Sequence, residues 1–234
     1  MTNDFEEYLQ PGFCVNSDAE EIISLANSLT DASKSQRENA VSLYYFVRDS
    51  ICYNPYTLGN SQEDWKATRT LETAESWCVP KAVLLAALCR AIGIPARLGY
   101  ADVVNHLSTA RLRESMKTDI FYYHGYCSVY LNERWVKSTP AFNLSLCEKF
   151  GLKPLEWDGN KDSLYHEFDE AGNRHMEYVL DRGEYADVPY DDIIAVFKQH
   201  YPDSFGADSP EHLAAGASLN AADWADDVTK EILQ

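Results

Sequence analysis

The 234 residues contain no C-x-x-C pair, no G-x-G-x-x-G loop and no apolar run long enough to span a bilayer. Those absences remove the commonest zinc and thiol-redox patterns, the phosphate-cradling loops of nucleotide enzymes, and a membrane-spanning helix. Basic residues are scarce, 20 against 37 acids, for a net charge of −17. A surface that negative repels nucleic-acid backbones and anionic lipid, so neither partner is expected. The imbalance is local: residues 1–150 hold 18 acids and 14 bases, residues 151–234 hold 19 and 6. The opening MTNDFEEYLQPGF lacks the basic-then-apolar pattern of a secretory signal. Six cysteines are too few for a disulfide scaffold, and a reducing, cytoplasmic setting is expected for them. There is no internal repeat and no low-complexity tract.

Apolar residues make up 45% of the chain, enough for a substantial core. Residues 18–29 and 36–51 carry them at helical spacing, each after a Ser/Asp cluster suited to capping. A short helix is expected around 67–72. From Ala82 to Ile92 almost every residue is apolar, which predicts a helix buried on all sides, ended by Gly93 and Pro95. The pattern then turns to strands at 97–104, 120–131 and 135–142, the last two joined by a turn at Asn132–Arg134. Residues 144–150 and 191–200 read as helices, and 154–190 as mixed and turn-rich. Helices first and an antiparallel sheet after is an α+β order.

Cys78 differs from the other five cysteines in position. Pro80 lacks an N–H and is tolerated only in the first turn of the buried helix, so that helix starts near Trp77 or Cys78. Helix-start N–H groups favour a thiolate and can hold an oxyanion, which predicts a lowered pKa and makes Cys78 the expected most reactive thiol. His124, in a strand flanked by aromatics, is the candidate base. Taken singly, the two residues also suit a core thiol and a cross-strand packing residue, and spacing alone leaves both readings open. His166, Asp169 and His175, and the pair His124 and Cys127, lack compact ligand spacing, so no metal is expected. Trp77 suits either the core or the edge of a substrate site.

The stretch Trp77-Cys78-x-x-x-Ala82-x-Leu84-Leu85-x-Ala87-Leu88-x-Arg90-Ala91-x-Gly93-Ile94-Pro95-Ala96-Arg97 resembles the catalytic-cysteine segment of the transglutaminase-like superfamily, and His124-Gly125-Tyr126 with Trp135-Val136-x-x-Thr139-Pro140 resembles its histidine strand and hairpin partner. The upstream Ala40–Tyr53 is similar to the helix that precedes the cysteine in that superfamily. The resemblance covers about 37–143. It implies a papain-like core over 1–200, followed by an acidic, partly helical or flexible extension at 201–234. It also implies a cysteine hydrolase or acyltransferase without a cofactor, in which Cys78 is the nucleophile and His124 the general base. The substrate implied is a peptide or protein amide, processed through a Cys acyl-enzyme. Hydrolysis, as in a cysteine protease or amidase, is favoured over transfer to an amine, and a non-catalytic binding module is the alternative. Where the superfamily has an acid that orients the histidine, this sequence has Thr139. In a hairpin turning at Asn132–Arg134, Thr139 and Asn143 flank the residue opposite His124, and Asn143 is the second candidate for that role.

Overall fold

Helix α1 (Glu20–Leu29) and helix α2 (Gln36–Ser50) open the fold. Ser35 starts α2 with a reciprocal cap: its hydroxyl accepts from Glu38 N–H, and the Glu38 carboxylate accepts from Ser35 N–H. In this computed structural model, residues 5–59, 61–105, 108–164, 176–201 and 219–232 are described. After α2 a two-residue strand β1 (Cys52–Tyr53) pairs in parallel with β2 (Glu75–Ser76), across helix α3 (Ala67–Thr73). That pairing delivers the chain into helix α4 (Cys78–Ala91).

The expectation for α4 holds: from Cys78 to Arg90 every residue is buried. Gly93, at φ 76°, turns the chain out of the helix in a conformation that a side chain would oppose. Strand β3 (Ala96–Asn105), helix α5 (Ala110–Met116), strand β4 (Ile120–Leu131), strand β5 (Arg134–Ser138) and helix α6 (Leu144–Phe150) follow. Strand β6 (Met176–Tyr185), helix α7 (Tyr190–His200) and helix α8 (Trp224–Ile232) come after them. The sheet order is β5-β4-β3-β6, antiparallel throughout, and α4 packs against its centre, chiefly on β4.

Three expectations need adjusting. The turn after β4 has two residues, Asn132 and Glu133, both at positive φ, and Arg134 already pairs with Leu131. Both positive angles match the twist of the strands they join, so the tighter turn wins. Strand β5 ends at Ser138, not at 142, because Thr139 N–H turns aside to donate to Ser163 O. Strand β6 lies within the stretch read as turn-rich. It is an edge strand in which Tyr178, Val179 and Leu180 are all about half exposed, so it carries no alternating pattern. His166, Asp169 and His175 lie outside the described residues.

Helix α8, from the region expected as an extension, docks on the body. Trp224 sets its edge against Tyr56 at 5.2 Å, and Asp227 takes a hydrogen bond from the Tyr56 hydroxyl and an ion pair from Arg111. No helix among the described residues is long and apolar enough to cross a membrane.

Lys81 is the outlier inside α4. It is wholly buried, and its ammonium donates to Arg48 O and Ile51 O at the last turn of α2. Two carbonyls replace only part of the lost water, and burial pushes its pKa from 10.5 down to about 7. Between those values the unfolded chain holds a proton that the folded chain has released, so raising the pH across this window favours folding, by a few kcal/mol at most. We expect urea unfolding to show the unmodified protein gaining stability relative to Lys81→Met between pH 7 and pH 9.5. Parallel pH dependence of the two proteins would mean that Lys81 stays charged when folded.

Candidate active site

Helix α4 begins as the position of Pro80 requires, with Trp77 in extended conformation before it and Cys78 as its first residue. The backbone N–H groups of Gly125 on β4, of Val79 and of Cys78 itself each favour a thiolate at this sulfur. Burial is the larger effect. The thiol, 5% exposed, is pushed up to about 11, so the expected lowering is corrected: the helix-start donors act in the direction anticipated but do not offset lost hydration. The expectation that Cys78 leads in general thiol labelling changes as well, because Cys52 is exposed while the other five cysteines are buried.

Gly125 sets how closely β4 can approach this helix start. A Cβ there would lie 2.9 Å from Val79 Cα, inside any tolerable contact, so only glycine lets the strand settle on the first turn of α4. His124, its neighbour, is 5% exposed and stands opposite Ala101 of β3. Just before it the ladder breaks. Ala101 pairs with His124 and Val103 with Phe121, so two residues, Tyr122 and Tyr123, oppose the single Asp102. Tyr123 takes up the extra length at φ 54°, a left-handed conformation that costs a residue with a side chain about 1–2 kcal/mol.

Cys78 and His124 line one narrow cleft, with about 60 Å³ of room for water-sized molecules. Its other walls are mostly hydrocarbon, from Tyr53, Trp77, Leu112, Met116, Phe121 and Phe197. The Tyr201 hydroxyl accepts from Tyr122 N–H and donates to Ile120 O, so that residue offers the cleft its ring. Trp77 lines the cleft and also packs edge-on against Trp65 at 5.1 Å. Its indole N–H is buried with no hydrogen-bond partner among the described residues.

The two residues considered for orienting His124 are both buried, and only Asn143 has its side chain engaged by other partners. Pairing of β4 with β5 stops at Cys127 and Ser138, and past that point the chain leaves the sheet. The Thr139 hydroxyl makes no hydrogen bond among the described residues. The Asn143 amide oxygen accepts from Tyr53 N–H at 2.9 Å, and its amide nitrogen donates to the Ser145 hydroxyl at 2.7 Å. Cys127 lies fully buried, beside Cys89 and Arg90 of α4, and is not part of the cleft wall. Among the described residues no group of three His, Cys, Asp or Glu side chains could hold a metal ion. Sequence reading missed Lys81, Asp102 and Arg182. Buried Asp102 and half-buried Arg182 form a bidentate pair whose sequence separation hides it, and Lys81 looks like a lone polar interruption of an apolar helix.

Comparison with curated protein sequences found no match. Among solved structures, one provisionally described as a cysteine protease of Cytophaga hutchinsonii is 17% identical, with a TM-score of 0.46 over 79% of this chain and 55% of that one. This chain therefore spans little more than half the length of that protein. The family model of the transglutaminase-like superfamily matches residues 23–140, half of the chain, and this span runs from α1 past the cysteine at the start of α4 and the histidine of β4 to Pro140. The chain belongs to the transglutaminase-like superfamily.

Proposed function

We propose that this protein is a cysteine hydrolase acting on amide bonds of a peptide or protein. The observation that carries the reading is that Cys78, first residue of a buried helix, and His124, from a distant strand, line the same cleft. In the reaction, Cys78 Sγ attacks the amide carbonyl carbon and its proton passes to the imidazole of His124. The N–H groups of the first turn of α4 stabilise the oxyanion. His124 then protonates the leaving amine as the C–N bond breaks, which leaves a thioester. Water, deprotonated by His124, attacks the thioester, and the sulfur leaves as a thiol. The hydrocarbon walls of the cleft suit an uncharged acyl portion.

A resting thiol near pH 11 supports a protonated Cys78 that loses its proton during attack, not a preformed thiolate–imidazolium pair. Iodoacetamide alkylation of Cys78 in a Cys52→Ser background, followed by peptide mass spectrometry, is therefore expected to climb steadily through pH 8–10. A plateau reached already near pH 5 would reveal a preformed ion pair.

Activity itself is tested with a peptide library incubated with and without a primary amine. Hydrolysed products are expected, and Cys78→Ala and His124→Ala should each lower turnover by about 10³-fold or more with the fold unchanged by circular dichroism. Amine-linked products would make the protein a transglutaminase. Turnover that survives Cys78→Ala would remove the nucleophile from the scheme.

A further inference from the structure

Asp102 stands in β3 beside the break in pairing that precedes His124. The irregularity runs across three strands at one level: β3 slips against β4 between Ala101 and Val103, and against β6 between Tyr100 and Ala101 and again between Asp102 and Val103. Breaks on both sides of one residue remove the ladder partners that would hold β4 in line here. The Asp102 carboxylate, 3% exposed, replaces one of them by accepting from Tyr123 N–H at 3.1 Å. Arg182 of β6 grips the same carboxylate, Nε to Oδ1 and Oδ2 at 3.0 Å each and Nη2 to Oδ2 at 2.6 Å. The guanidinium carbon also lies 5.0 Å from the centre of the Tyr123 ring. Both ends of the strained residue are thus held, the backbone by Asp102 and the ring by Arg182.

A buried carboxylate that needs an arginine fork and serves a single backbone N–H is an expensive way to finish a strand. Nothing in sheet packing asks for it. Its effect is specific: Tyr123 stays left-handed, the extra residue of β4 remains between Val103 and Ala101, and the next residue along the chain is His124. We propose that Asp102 and Arg182 form a clamp on Tyr123 that positions the His124 imidazole for Cys78. The proposal rests on the reading of His124 as the base. Asp102 is a positioning residue here, since it touches neither substrate nor sulfur.

The test uses the full chain in the Cys52→Ser background, with iodoacetamide as probe and the alkylation rate of Cys78 at pH 7.5 as readout, together with the His124 ring proton signals by NMR. His124→Ala is expected to slow alkylation about tenfold, and if it does not, the assignment of the base fails irrespective of the clamp. Given that loss, Asp102→Ala is expected to slow Cys78 at least fivefold and to shift the His124 signals while near-ultraviolet circular dichroism stays native. Asp102→Asn, whose amide oxygen still accepts from Tyr123 N–H but which gives up the fork with Arg182, should recover part of the rate lost in the alanine variant. If Asp102→Ala does not fold, the comparison is made with Arg182→Lys, which keeps the charge but loses the fork and should slow Cys78 twofold or more. A folded Asp102→Ala that alkylates at the unmodified rate with unmoved His124 signals would overturn the clamp, as would an Asp102→Asn no better than the alanine variant.

Discussion

A helix buried on every side can contain polar residues only if its surroundings provide their partners, and α4 contains a lysine and an arginine. Lys81 donates to the carbonyls of Arg48 and Ile51, and Arg90 to those of Gln10, Ala96 and Ala186. These five oxygens lie in four different segments of the fold. The end of α2, the loop before α1, the start of β3 and the link to α7 are therefore all fastened to α4 by directional bonds as well as by apolar contact. The height of Cys78 above the sheet follows from these fastenings and from the missing side chain of Gly125.

The site combines opposing tendencies. Donors at the helix start favour a charged sulfur, while the aromatic walls that make the cleft dry oppose it, and burial prevails. On the proposed mechanism, a weakly polar cleft of this kind raises the value of each proton transfer timed to the reaction, which puts more of the burden on the placement of His124. The strain at Tyr123 lies one residue from that imidazole, where distortion of a β-strand has the most direct chemical effect.

Much of this was legible in the chain. Helix α4 announced itself through a run of apolar residues bracketed by Pro80 and Gly93, and the β4–β5 hairpin through aromatic and β-branched residues around Asn132. Cys78 stood out because proline fixes where a helix can begin. What stayed hidden depends on partners far apart in sequence. Strand β6 exposes consecutive apolar residues because it lies at the edge of the sheet. The ending of β5 at Ser138 depends on Ser163, which takes over the backbone hydrogen bond of Thr139. The bulge before His124 needs Arg182, from the opposite edge of the sheet, and no local pattern in 120–131 signals it.

The carbonyl-bound Lys81 and Arg90 have a consequence for how the protein responds to its solution. Surface ion pairs such as Arg69 with Glu72 weaken as ionic strength rises, because mobile ions reach both partners. Mobile ions do not enter the surroundings of Lys81 and Arg90, and their partners are dipoles instead of opposite charges. Added salt also relieves the mutual repulsion of a chain carrying 17 excess negative charges. Concentrated salt thus leaves the central fastenings of this molecule intact while it quiets the exterior, so α4 is expected to keep its register in brine as well as in dilute buffer.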